Sequence, residues 1–266
     1  MSRAMRAHFL IVPLTACVLA STALSGAASA ASAAPAVPAV LAKNPLYKAG
    51  KFALKTCEEP PTAADVEVLR LYVEEVSICL DKAWGPLVKK AGLPYGKPKV
   101  KVSHGEKVKT SCGTYVPDVT DSVYCAKTRT VHIMVSDYGL TGEIDRPMWL
   151  DALSAGWALH VQNVAGVTGA VAKAVKKASK RDLLAMRAKH TLQTLCLTGA
   201  FTGSVWDSLG HSKRSGHESY IDRDARYGDV PGFGTAANRA YWTRRGFEAE
   251  SPSACNTFTA PAVRVK

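Results

Sequence analysis

No Cys-x-x-C pair occurs anywhere in the 266 residues. A structural zinc knuckle or a thioredoxin-type redox site needs that spacing, so neither is expected. After the first thirty residues no apolar run reaches the roughly 20 residues that a membrane-spanning helix takes. No internal repeat is present. Acidic residues are few, with 22 Asp and Glu against 34 Lys and Arg, a formal charge of +12. That excess favours acidic partners through a long-range attraction that salt screens, and it identifies none of them. Aromatic side chains are missing from the most basic stretch, Val171 to Lys189, which carries Lys173, Lys176, Lys177, Lys180, Arg181, Arg187 and Lys189. With no rings to stack against bases, nucleic acid is not an expected partner. A solvated helix face is the default reading of the stretch, and an acidic cell-envelope polymer is its functional alternative.

The N-terminus has the form of an export signal. Arg3 and Arg6 give a positive start, Phe9 to Leu19 is apolar, and Ala28-Ser29-Ala30 is a small-x-small cleavage site. Residues 1–30 are expected to be removed, which would take the charge from +12 to +10 by loss of Arg3 and Arg6. Leu14-Thr15-Ala16-Cys17 also fits a lipobox, so lipid anchoring at Cys17 is the alternative to cleavage after Ala30. Residues 31–54 are rich in Ala, Pro and Val and predict an extended linker. Residues 55–266 are then left for one folded domain with a sizeable core.

Seven cysteines are present, and Cys17 belongs to the leader. The other six, Cys57, Cys79, Cys112, Cys125, Cys196 and Cys255, suit disulfides in an exported chain. Six cysteines allow fifteen pairings, so order alone does not choose among them. The preferred set is Cys57–Cys79, Cys112–Cys125 and Cys196–Cys255. The first two join near neighbours, and the third ties the C-terminal tail to a core helix.

Periodicity places the elements. Val66, Leu69, Val73, Val76 and Leu80 recur at helical spacing, which predicts a helix over 62–84, begun by Thr62-Ala-Ala-Asp65 and disrupted at Gly85-Pro86, with a short continuation through Lys90 as the alternative. Lysine and valine alternate from Lys97 to Ser103, a half-exposed strand with a solvated lysine face. Two more strands are expected near Val123–Ala126 and Thr130–Val135, with His132 exposed on the second and not a ligand. Ser208 to Gly228 is polar and reads as a long surface loop. Its His211 and His217, with Asp222 or Asp224, are the residues from which a relocated metal site would be built.

The chain's centre is Trp149 to Val167, WLDALSAGWALHVQNVAGV, whose only charged residue is Asp151. A helix apolar almost all round belongs in a core. His160-Val161-Gln162-Asn163 resembles the end of the core-helix motif of the neutral zinc metallopeptidases, approximately H-E-x-G-H-H-V-Q-N. In that family the resemblance implies His at i and i+4, which bind zinc from one helix face, and Glu at i+1 as general base on the metal-bound water. Here those positions hold Ala155, Leu159 and Gly156. None can bind zinc or move a proton through its side chain. His160 lies one residue past the second ligand, about 100° further round the helix.

Two further stretches carry the resemblance. Leu192-Gln193, Cys196 and Gly199 match a second family motif, about E-L-Q-A-D-C-x-A-G. Its metal-binding Glu falls on Thr191 and its Asp on Leu195. Gly234-Thr235 and Arg239 match a third, H-G-T/S-x-x-x-R, with Phe233 in place of its His. With Cys112-Gly113 and Tyr124-Cys125 before these motifs and Cys255-Asn256-Thr257-Phe258 after them, the resemblance runs from about Cys112 to Phe258.

The expected fold is α+β, mostly helical and zincin-like, with a small β-sheet and disulfide bonds. No catalytic residue, metal or cofactor is expected, because the family positions are vacated at Ala155, Gly156, Leu159, Thr191 and Phe233. The apolar replacements are expected to pack together and close the former site. The reading adopted is an exported, inactive metallopeptidase homologue that binds a peptide or an acidic cell-envelope component. The alternatives are a hydrolase with relocated ligands and a structural envelope protein. Ser154 and Ser204 are hydroxyls with no base at a defined spacing, so they do not suggest a nucleophile.

Overall fold

The computed structural model describes residues 37–58, 60, 65–118, 120–141, 146–209, 217–223 and 228–266. The expected signal segment, its lipidation alternative at Cys17 and Thr62 of the expected helix cap lie outside them.

The architecture is α+β, with helices around one small sheet. A short helix, α1 (Ala39–Ala42), precedes a long one, α2 (Val66–Lys90). Then come strands β1 (Lys99–His104), β2 (Val108–Thr110), β3 (Gly113–Tyr115), β4 (Ser122–Cys125) and β5 (Thr130–Val135). After α3 (Asp137–Thr141) the chain is helical: α4 (Arg146–Val164), α5 (Val167–Val175), α6 (Lys180–Val205), α7 (His217–Arg223) and α8 (Ala236–Ala249). The three-stranded sheet has the order β1-β5-β4, with β1 parallel and β4 antiparallel to β5, while β2 and β3 form a separate hairpin.

Alternation along β5 explains the layering. Val131, Ile133 and Val135 face a core that also takes Trp149, Leu150, Leu153, Trp157 and Val161 from α4. α4 is therefore the middle layer, with the sheet on one side and α6 on the other. α6 and α8 cross with their backbones nearly touching. A Cβ on Gly246 would lie 1.9 Å from the carbonyl oxygen of Cys196, and one on Gly203 would lie 2.1 Å from that of Phe247. Only glycine fits either place. The basic stretch becomes α5 and the first turns of α6, with Lys173, Lys176, Lys177, Lys180, Arg181 and Arg187 all exposed.

Three disulfides join Cys57–Cys79, Cys112–Cys125 and Cys196–Cys255, with Cα separations of 5.8, 5.7 and 5.5 Å. This is the pairing that the sequence had left as one preference among fifteen.

Three expectations need correction. The segment 31–54 is described from Val37, and from there it is packed rather than extended. Leu46, Ala49 and Phe52 are buried in the main core, and Phe52 meets Trp84 edge to face at 4.7 Å. Asn44 donates to the carbonyl of Ala165 at 2.9 Å. Leu46, Ala49 and Phe52 stand three residues apart, but in a segment whose Ala and Pro content reads as linker. Second, of the two ends open for α2, at Gly85-Pro86 or at Lys90, the helix takes the later, with Pro86 exposed and Gly85 facing the Tyr95 ring. Third, His132 is buried, at 5% exposure. It sits in the central strand, so neighbouring strands cover it on both sides.

Candidate functional site

Burial along α4 marks one open face. Ala152, Ala155, Leu159 and Asn163 are half-buried, while Leu153, Ser154, Gly156, Trp157, Ala158, His160, Val161 and Gln162 are buried. On α6, Thr191 and Leu195 are half-buried, and Leu192, Gln193 and Thr194 between them are buried. The positions of the two expected histidines and of the third ligand thus lie on helix faces that reach toward solvent. The packing expected at these positions is incomplete, since Ala155, Leu159 and Thr191 are partly open.

Gly156 is the exception. A Cβ built there would stand 2.5 Å from Cγ1 and 3.0 Å from Cγ2 of Val131 on β5. Valine is stiff at χ1 and has little room to yield. The helix therefore lies against the sheet more closely than any side chain at 156 would allow. The place where the family carries a carboxylate is filled by the wall opposite.

The residues that survive from the motif serve the scaffold. Nε2–H of His160 donates to the carbonyl of Gly96 at 2.7 Å, and Nδ1 accepts from the Tyr124 hydroxyl at 3.0 Å. Burial holds this imidazole below the usual histidine range, and the Gly96 bond opposes that only in part. The ring is thus a neutral crosspiece between α4, β4 and the chain before β1. Asn163 donates to the same Tyr124 oxygen at 3.1 Å. Gln162 donates to Gln193 at 2.9 Å and to the carbonyl of His190 at 3.2 Å, and it accepts from Thr194 at 2.9 Å. Those bonds hold the turn of α6 bearing Thr191 beside the turn of α4 bearing Leu159. Ala155 lies one turn further back.

The other two motifs read the same way. Gln193 also donates to the Tyr47 hydroxyl at 2.7 Å and to the carbonyl of Cys255 at 3.1 Å. Cys196 forms its disulfide, and Gly199 admits the Thr243 carbonyl of α8, which would be 2.3 Å from a Cβ. In the third motif Gly234 has φ +87° and sits on Leu192, Thr235 caps α8 by accepting from Asn238, and Arg239 clamps the loop. Its guanidinium donates to the carbonyls of Gly234 and Gly228 at 2.6 and 2.5 Å. Phe233, in place of the family's His, is 54% exposed on that loop.

Zinc, which the family implies, does not fit the residues present. Ala155 and Leu159 offer hydrocarbon and Thr191 a neutral hydroxyl, while a catalytic zinc normally takes three nitrogen, sulfur or carboxylate ligands. Among the described residues no three His, Cys, Asp or Glu side chains gather where they could hold a metal. His211, Asp224 and the side chain of His217 fall outside the described residues, and Asp222 is exposed. Ser204 donates to the carbonyl of Phe201, and the fully buried Ser154 hydroxyl has no partner among the described residues. Among the described residues neither is hydrogen-bonded to the base that a nucleophile requires. Asp151 accepts from the Tyr220 hydroxyl at 3.0 Å.

Sequence reasoning did not reach Tyr124, Tyr47 or Val131. Tyr47 and Gln193 are 146 residues apart, and no local pattern announces such a contact.

A central apolar helix crossed by a second, beside a small mixed sheet, with motif residues in these places, defines a metallopeptidase-like scaffold. The family model described as "Putative neutral zinc metallopeptidase" matches residues 58–258, and the chain belongs to that family. The match begins well before Cys112, where the sequence had placed the start of the resemblance. The chain is also 25% identical over 199 residues to the uncharacterized protein YpfJ of Escherichia coli, covering 67% of each chain, and matches YpfJ of a second strain equally. No solved structure matches it.

Proposed function

We propose that this protein is an exported, catalytically inactive neutral zinc metallopeptidase homologue that binds a peptide or a cell-envelope component along the former cleft. The observation that carries the reading is Gly156 against Val131. Loss of a ligand alone leaves a cleft that one substitution could restore. Here the sheet also fills the position of the general base. Around it Ala155 and Leu159 supply apolar surface, which suits the side chains of a bound peptide. With no carboxylate at 156, no side chain there takes a proton from water. Three disulfides support an extracytoplasmic location, because such bonds persist in oxidising compartments. Among the described residues no helix is long and apolar enough to cross a membrane.

Two measurements test the reading. Elemental analysis of dialysed protein should find well below one zinc per chain. A broad peptide library incubated with the protein should be retained in part and remain uncut. Stoichiometric zinc that disappears on replacing His211 or His217 would overturn the proposal in favour of relocated ligands. A library neither cut nor retained would remove the peptide-binding half.

A further inference from the structure

A second site lies away from the former cleft and does not depend on how that cleft is read. On the outer face of the sheet, Lys99 and Lys101 of β1 stand beside Thr130 and His132 of β5, paired in register Lys99↔Thr130 and Lys101↔His132. The β2–β3 hairpin brings Lys109 and Ser111 against the same face, and together these residues line a cavity of about 530 Å³. That volume is within the range of small-molecule sites. The hairpin is secured where it meets the sheet, because Cys112 beside it is bonded to Cys125 at the end of β4.

The lining is one-sided in charge. It contains three lysines and no Asp or Glu. Among the described residues no carboxylate forms an ion pair with any of the three. His132 is more than nine-tenths buried, and its Nε2 has no hydrogen-bond partner among the described residues. Buried polar atoms are nearly always partnered, by protein, water or ligand, so a lone one in a cavity wall calls for an explanation. Burial, with the charge of Lys101 adding to it, pushes this imidazole below the usual histidine range. Lys99, Lys101 and Lys109 are themselves exposed, so their charges are open to an anion that enters the cavity.

We propose that this cavity binds a phosphate group, either free or as the phosphodiester of an acidic polymer. A phosphate offers several acceptor oxygens in a tetrahedral array. Three ammonium groups, an imidazole N–H and a hydroxyl arriving from two strands and a hairpin match that better than the two coplanar oxygens of a carboxylate. The cavity leaves room for the ester substituents beyond the phosphate itself.

The test is proton NMR of the folded protein at constant ionic strength, following the Cε1–H resonance of His132, assigned by its loss in His132→Gln. Inorganic phosphate and a glycerol phosphodiester are titrated in turn, with acetate as the carboxylate comparison. Both phosphates should shift the resonance saturably and acetate should not. Tighter binding of the diester points to a polymer, and tighter binding of inorganic phosphate to the free ion. Lys101→Gln and Lys109→Gln should each weaken binding about tenfold, the loss expected for one charge-assisted hydrogen bond. Lys176→Gln removes the same charge from the solvated helical face and should change nothing. A resonance unmoved by either phosphate, an acetate response equal to that of phosphate, or equal weakening by Lys176→Gln would each overturn the proposal.

Discussion

The side-chain amide of Gln162 on α4 donates to the side-chain oxygen of Gln193 on α6 at 2.9 Å, and both atoms are buried. Each glutamine belongs to a motif by which the chain resembles its family, and together they hold the two helices in register. Gln193→Leu would leave the Gln162 amide short of an acceptor, and the Tyr47 hydroxyl and Cys255 carbonyl short of a donor. Unsatisfied buried groups cost about 1–3 kcal/mol each, so urea unfolding should show a loss of at least about 2 kcal/mol. Gln162→Leu combined with Gln193→Leu should cost less than the two singles added together, because they share one network.

Gly156→Ala should destabilise the protein by about 1–3 kcal/mol through overpacking against Val131. Val131→Ala in the same chain opens the space, so the double variant should be more stable than the sum of the single losses predicts. Equal denaturation midpoints for wild type and Gly156→Ala would show that α4 is not seated tightly on the sheet and that position 156 has room for a side chain.

The bond between Cys196 and Cys255 closes a sequence separation of 59 residues. On the chain-entropy view a loop of this size contributes about 4 kcal/mol. Cys255→Ser should unfold at clearly lower denaturant and expose a reactive thiol at Cys196. Thiol titration of the oxidised, unfolded wild type, with its leader removed, should find none. An unchanged midpoint would mean that the Gln193 bond and the packing of the tail hold the C-terminus without the disulfide.

His190 sets a pH dependence. Burial lowers its pKa from 6.5 to about 4. In the unfolded chain it binds a proton at higher pH than in the fold. Its contribution is therefore fully present above pH 6.5, falls as the pH drops from there toward 4, and is flat below. Burial shifts His132 and His160 in the same direction. Stability measured across this window should decline on acidification, and His190→Gln should make the slope shallower. A slope that is unaltered in His190→Gln would assign the acid sensitivity to other groups.

Some of this was legible without a fold, and the reason is chemical. Alanine and leucine side chains cannot ligate a metal in any surroundings, so the sequence alone says that Ala155 and Leu159 bring no donor. The helices around Leu69 to Leu80 and Trp149 to Val164 were readable too, because apolar spacing reports a helix from a few neighbouring residues. Other features depended on contacts between distant residues. Six cysteines supported only a preference among fifteen pairings until the fold brought α6 and the tail together. Phe52 looked like part of a Pro/Ala linker until it met Trp84, and His132 looked exposed until strands lay on both sides of it. The work done by Gln162, Asn163 and Arg239 was hidden for the same reason, since a hydrogen bond is set by where both partners end up. A one-residue motif can report the chemistry a side chain lacks, but only tertiary packing decides what the remaining side chains touch.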